Sequence, residues 1–516
     1  MASNAQIIGT WLLIAFYMLV IIYFVWQGSK KIKNISDYAV GNINFSPASV
    51  GLSLAASMTS AATFIVNPGF IANYGLSGVL SFGVIFPIAA LSSLVILTKS
   101  FRKYGAQVKA LTLAQWIGKR YNSKNYALTM AILSLLLITF IVLIVVAITK
   151  VLAKALNANE IWVLGITITF IFGYMMFGGA NSMVYTNTIQ AVIMIIVAFI
   201  LLFSGYEYFE GGISGLLDKL NQINPKLTQW KNPESLLFRD YYEIIFAQAI
   251  IGIAVVVQPH IITKSLLLKK ESDVNRYLLV AVLVEILFFS VVFAGLYARL
   301  HFPDLTANGV ALKNDGIIPA YVVSVFSNGM LAIIVGLIVV MGLISAGLST
   351  LEGLIQSVSS SIITDIIKPI FPALLKEGKS EIKANKIAII LLAIISFFIA
   401  YDQILYPKLS VGILAQNGVY AYFSAAFIPV LFGIFIKNAK TMATFTATLV
   451  AIAVHFGVYY FLPYLVEIYQ LNFGFFTKFL QGDVRNPAIA ASSAIIVSTI
   501  TGLLIQYSSK NSISTK

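Results

Sequence analysis

The sequence predicts an all-α integral membrane protein of about thirteen transmembrane helices, and three observations predict it. Of the 516 residues, 59% are hydrophobic and only 10% are charged, whereas a soluble chain carries roughly a quarter charged. Thirteen apolar runs divide the chain, most of them longer than the roughly 20 residues that cross a hydrocarbon core. Lysine and arginine crowd into alternate gaps between those runs. No soluble core of one chain could hide this much apolar surface; a bilayer accepts it.

The runs cover residues 7–27, 46–72, 77–98, 126–149, 161–178, 183–206, 244–263, 277–298, 327–364, 387–401, 409–436, 441–463 and 487–506. The first lacks a basic leader and a small-residue cleavage site, so it is expected to remain as a span rather than be removed as a signal peptide. Of the 34 Lys and Arg, 23 fall in the odd-numbered gaps and the C-terminal tail, and 11 in the even-numbered gaps. The basic set includes Lys30, Lys31, Lys33, Lys99, Arg102, Lys103, Lys109, Lys119, Arg120, Lys264, Lys269 and Lys270. The positive-inside rule makes that side cytoplasmic, which places the N-terminus outside. Acidic residues lean the other way, with Glu207, Glu210, Asp218, Glu234, Asp240 and Glu243 in one exterior gap. The formal charge of +14 is therefore topology plus attraction to anionic lipid, not a nucleic-acid surface. Zero cysteines exclude a disulfide framework, thiol catalysis and cysteine–zinc sites.

The gaps are short enough for one membrane domain. The exterior gap 207–243 is amphiphilic through Leu216, Leu217, Leu220 and Ile223 and is expected to hold one or two short surface helices, with a second such segment at 302–319. The Lys-rich gap 365–386, bounded by Pro369 and Pro372, is expected to be a solvated connector.

Two runs differ from the rest. The second contains Ala55-Ala56-Ser57-Met58-Thr59-Ser60-Ala61-Ala62-Thr63-Phe64 and then Asn67-Pro68-Gly69; the seventh runs from Gly252 to Gln258-Pro259-His260. Small and polar residues combined with a proline, at corresponding places in two halves, mark interrupted helices around a transport site. Irregular backbone inside a bilayer survives only where protein or a water-filled cavity surrounds it. The ninth run adds Ser345-Ala346-Gly347-Leu348-Ser349-Thr350, then Ser357, Ser359, Ser360, Ser361 and Thr364-Asp365. Ala346, Ser349 and Thr350 stand at i, i+3 and i+4, on one helix face. Two hydroxyls and a carbonyl there, facing the carbonyls of Ala56 and Thr59 in the broken second run, make five hard oxygens suited to an alkali cation without a carboxylate.

These residues resemble the sodium/solute symporter family, in its pantothenate, proline and monocarboxylate branches. The resemblance runs over nearly the whole chain and includes Ser36-Asp37-Tyr38, Pro68-Gly69 with Tyr74-Gly75, Gly178-Gly179 with Thr186 and Gln190, and the Ala-x-x-Ser-Thr motif trailing to Asp365. It implies an outward N-terminus, thirteen spans and a five-plus-five inverted repeat, placed here at 46–206 and 244–436 within a single transport domain. Residues 1–45 and 437–516 are then peripheral helices and tails. It implies that Ala56, Thr59, Ala346, Ser349 and Thr350 hold sodium. It also implies that Gln258-Pro259-His260 lies on the interrupted helix lining the solute cavity, where Ser60, Thr63, Gln258 and His260 are the candidate solute contacts. Two departures matter. Asn187 stands where the family commonly has an aspartate that helps hold a second sodium, which favours one principal sodium. Met58 stands where proline transporters carry an aspartate, which counts against proline.

Two acids lie inside apolar runs. Glu352, three residues past Ser349, is the candidate coupling acid, either adding negative charge near the cation or carrying a proton. Glu285 sits in the middle of the eighth run. A charge at the bilayer centre costs roughly 2.5–3.5 kcal/mol on insertion scales, so such residues are functional candidates by default. No Walker-type glycine loop, zinc-spaced histidine pair or nucleophile–base pair occurs, and no organic cofactor is implied. The expected function is secondary active symport of a small organic solute with sodium, the solute most plausibly carboxylate-bearing, by a multi-pass protein of the cell membrane. The expected partners are solute, sodium and lipid, with no obligatory protein partner. Proton coupling is the alternative on the same frame. A membrane solute sensor is the other; it is expected to carry an appended signalling domain, whereas the sequence runs only to Lys516 beyond the last span.

Overall fold

Among the described residues, ten helices are long and apolar enough to cross a membrane, and two bent helix pairs add one broken span each. This computed structural model describes residues 2–508 apart from Lys109, Lys269, Leu374, Lys376, Glu377, Lys408 and Asp483; Lys109 and Lys269 of the basic set therefore lie outside the described residues. In chain order the long apolar helices are α1 (Asn4–Ser29), α2a (Pro47–Met58) with α2b (Ala62–Tyr74), α3 (Leu76–Lys103), α4 (Lys124–Leu156), the shorter α5 (Glu160–Met175) and α6 (Ala180–Phe209). There follow α7a (Tyr242–Val255) with α7b (Pro259–Leu267), α8 (Glu271–His301), α9 (Met330–Ile370), α10 (Lys379–Leu405), α11 (Val411–Phe435), α12 (Thr441–Tyr469) and α13 (Pro487–Ser508). Each of the thirteen apolar runs falls on one of these. The fifth lands on a helix of 16 residues, short for a span on length alone.

The two interruptions are where the sequence puts them, and each has a local cause. Gln258 is extended at ψ 137°, because the ring of Pro259 excludes the helical region for the residue before it. Thr59 leaves the helix at φ −90°, ψ 109° in a Met-Thr-Ser stretch whose hydroxyls compete for backbone partners. The Ser60 hydroxyl then accepts from the Ala62 amide at 3.1 Å and caps the second half. The bends are 54° in α2 and 55° in α7. Small residues seat these helices closely. Gly347 of α9 meets Ile148 of α4, where an added Cβ would lie 2.6 Å from the isoleucine.

Gly75 ends α2b at φ +65°, and a Cβ there would sit 2.0 Å from the Leu227 carbonyl oxygen. Both the left-handed backbone and the rigid obstacle oppose a side chain. Gly75→Ala is expected to destabilise the protein by about 2–5 kcal/mol, read as a lowered melting temperature in detergent.

Three expectations need correction. The segment 302–319 is not a second surface helix; it carries a two-stranded hairpin, Thr306–Ala307 against Val310–Ala311. Asn308-Gly309 between them takes φ 53° and 76°, and an Asn-Gly pair with both φ positive makes the tight turn that matches strand twist. The segment 365–386 is not uniformly solvated. Helix α9 continues to Ile370, Asp365 is buried and accepts from Thr112 at 2.5 Å and Ser361 at 2.9 Å, and Glu381 is buried beside Lys368 at 2.8 Å. Lys264 is not a gap cation, for it lies on α7b and is only 3% exposed. The gap 207–243 does form a helix, Gly212–Ile223, with Leu216 and Leu220 buried.

Candidate functional site

Helix α2a stops at the centre of the bundle, so the last carbonyls of the half-helix lack the amides that would normally bond them. Helix α9 passes beside that end and supplies hydroxyls. Ser349 Oγ lies 2.6 Å from Ala56 O and 3.2 Å from Ala346 O. Thr350 Oγ1 lies 3.3 Å from Thr59 O and 3.0 Å from Ser57 O. All five residues expected to hold the cation, Ala56, Thr59, Ala346, Ser349 and Thr350, are thus brought together, each fully buried. The Ser57 carbonyl is a sixth oxygen that pattern reading missed. The donor set is neutral, hard oxygen at the negative end of a half-helix, chemistry suited to an alkali cation. Among the described residues no group of three His, Asp or Glu could hold a metal ion.

Glu285 adjoins this cluster from α8. Its Oε2 accepts from Thr59 Oγ1 at 2.6 Å, and its Oε1 has no partner among the described residues. The bond holds Thr59 at the break, so Glu285 acts on the cluster through a residue that supplies one of its oxygens.

Across the break lies a partly open cavity of about 90 Å³. Ser60, Thr63, Gln258 and His260 all line it, as does Met58. Gln258 Oε1 and His260 Nδ1 are buried and have no partner among the described residues. The wall is otherwise aromatic and aliphatic, with Phe82, Phe86, Phe140, Phe289 and Tyr420 among its residues. It is richer in carboxamides than the candidate contacts Ser60, Thr63, Gln258 and His260 suggest. Asn67, Gln248 and Gln416 join Gln258, and their signal was a polar side chain in an otherwise apolar run.

A second polar network begins on the other side of the cation cluster. Lys264 Nζ donates to Ser53 O at 2.7 Å, to Ser53 Oγ at 2.9 Å and to Ser57 Oγ. The Asn187 amide has its partners satisfied with the oxygen 3.0 Å from Lys264 Nζ and the nitrogen 2.9 Å from Gln190 Oε1 and 3.2 Å from Glu352 Oε2. Glu352 also accepts from Thr186 at 2.6 Å, Tyr174 at 2.7 Å and Gln190 at 3.4 Å. Its carboxylate therefore points at α5 and α6 rather than into the five oxygens. Asn187 joins it to the buried ammonium.

The sodium:solute symporter family model matches residues 38–451. The chain belongs to the sodium:solute symporter family. It is a multi-pass membrane protein of that family of transporters. The sodium/pantothenate symporter of Haemophilus influenzae is 27% identical over 381 residues, 72% of this chain and 75% of its own. That of Escherichia coli is 25% identical over 453 residues, 85% of this chain and 86% of its own. Among solved structures, a Na+-coupled sialic acid symporter in a substrate-bound outward-open state aligns with a TM-score of 0.72 at 18% identity, over 96% of this chain and 98% of its own. At that identity the likeness concerns the fold.

Proposed function

We propose that this member of the family is a sodium-coupled symporter of a small, carboxylate-bearing organic solute. The observation that carries the reading is the convergence of Ala56, Thr59, Ala346, Ser349 and Thr350 on one buried point between the broken helix α2 and the unbroken α9. Sodium bound there ties two elements that must move relative to one another, and so favours the state in which the solute cavity is formed. We take α2–α6 and α7–α11 as the inverted repeats and the N-terminus as outside; rocking of one repeat against the other then exposes the cavity to each side in turn.

Several features support a carboxylate. The second half-helices α2b and α7b both begin at the cavity wall, so the positive ends of their dipoles lie on the cavity side. Gln258 and His260 add side-chain hydrogen bonding at the same wall. The aromatic lining suits an apolar body behind the charged end, and two relatives are pantothenate symporters by name. Met58 in the wall adds no charge with which to hold an amino group.

The test is uptake of labelled pantothenate, acetate, lactate and proline into proteoliposomes of purified protein under an inward sodium gradient. A carboxylate is expected to accumulate; if none of the panel does, the solute class is wrong. Gln258→Ala and His260→Ala are each expected to raise the KM for that solute about tenfold, the loss of a hydrogen bond worth about 1–1.5 kcal/mol, with sodium binding unchanged.

A further inference from the structure

The Lys264 amine is buried, with four oxygens within bonding reach: Ser53 O, Ser53 Oγ, Ser57 Oγ and Asn187 Oδ1. An ammonium has three protons to donate, so four acceptors from two further helices form a cage around a monovalent cation rather than the partners of one bond. The cage is joined to the cation cluster of α2 and α9. Ser57 supplies a hydroxyl to Lys264 and, through its carbonyl, an acceptor 3.0 Å from Thr350 Oγ1; the same hydroxyl lies 3.2 Å from Ser349 O. The compensating anion is Glu352, reached through the Asn187 amide.

We infer that this cage is a second monovalent-cation position, next to the sodium site, which the chain fills permanently with the ammonium of Lys264. The tethered cation takes the place a second coupling ion would occupy, and so limits the protein to one sodium per cycle. It also holds α7b against α2a from the interior of the bundle, since the amine bridges the half-helices on which both breaks lie. A free ion in that cage would leave during transport; a tethered one cannot. The difference sets stoichiometry and not solute choice. This inference rests on reading the α2–α9 oxygens as the sodium site.

The probe is sodium alone, as radiolabelled sodium bound to the purified full-length protein at saturating concentration. Wild type is expected to bind close to one sodium per chain. Lys264→Met removes the amine and leaves the oxygens and Glu352, so it is expected to bind one more. Lys264→Arg keeps the charge and is expected to bind the same number as wild type. Should Lys264→Met fail to fold, Lys264→Met/Asn187→Asp places a carboxylate at the cage wall, and the increment of one is read there. An unchanged count in every folded variant lacking the amine overturns the inference. Ser349→Ala/Thr350→Ala reports separately on the neighbouring site. A variant that binds as much sodium as wild type tells against the proposed sodium site, while the increment on removing Lys264 still tests the cage.

Discussion

Ser349→Ala/Thr350→Ala is expected to abolish sodium-driven uptake while leaving the folded protein intact. Both hydroxyls lie within bonding distance of carbonyls at the end of α2a, 2.6 Å from Ala56 O and 3.3 Å from Thr59 O, so they are two of the five oxygens a cation would share. A hydrogen bond to a charged group contributes roughly 1.5–3 kcal/mol, and losing two comparable interactions weakens the ion by about 3–6 kcal/mol, some two to four orders of magnitude in affinity. The packing cost is small, because each substitution removes only a hydroxyl or a hydroxyl and a methyl. The measurement is the sodium concentration for half-maximal uptake, alongside the melting temperature in detergent. A loss of uptake with an unchanged melting temperature supports the site. A folded variant whose sodium dependence is unchanged shows that these hydroxyls only bond carbonyls and hold no ion.

Glu352→Gln is expected to lower stability substantially. Glu352 is buried, accepts from Thr186, Tyr174 and Gln190, and is linked through Asn187 to the ammonium of Lys264. Neutralising it leaves that ammonium uncompensated in the bundle. Removing one partner of a buried pair costs roughly 3–5 kcal/mol, and the intervening amide places the expected loss near the lower end, about 3 kcal/mol. Lys264→Met in the absence of sodium should cost a similar amount for the mirror reason. The double variant should then recover a large part of the loss, because neither charge remains. Melting temperatures of the four proteins in sodium-free buffer form the cycle. Additive losses would show that the two charges do not sense one another.

Much of this architecture was written locally, and what was not was written over long distances. Pro259 dictates the break at Gln258 through its own ring, so the second interruption could be placed from two residues. Ala346, Ser349 and Thr350 share a helix face by spacing alone, and their meeting with Ala56 and Thr59 needed only the assumption that the second run is broken. Lys264 shows the opposite case. Its acceptors lie 211 and 207 residues away on α2a, and an apolar run judged to end at 263 hands the lysine to the neighbouring gap, where it counts as one more basic residue. The three extra carboxamides of the cavity were visible as polar residues in apolar runs, but which way each faces depends on how α2b, α7a and α11 pack around the cavity. The hairpin at 306–311 had its signal in Asn308-Gly309, overshadowed by apolar neighbours that suggested a surface helix. Glu352 was legible as a buried acid near the motif; its direction, toward Tyr174 and Thr186, was set by α5 and α6.

Coupling to sodium is the central claim, and the thermodynamics of accumulation test it most directly. One sodium moving with one singly charged carboxylate carries no net charge, so membrane voltage should not drive it; a tenfold sodium gradient, worth about 1.4 kcal/mol, should concentrate the solute about tenfold. A neutral or zwitterionic solute would instead gain a further 2.3 kcal/mol or so from 100 mV, for a total of a few hundred-fold. The measurement is the steady-state internal-to-external ratio of the transported carboxylate in proteoliposomes, with sodium gradient, proton gradient and voltage imposed separately. The account predicts a ratio that follows the sodium gradient, ignores voltage, and collapses in Ser349→Ala/Thr350→Ala. A ratio that follows the proton gradient without sodium, and survives in that variant, would contradict it.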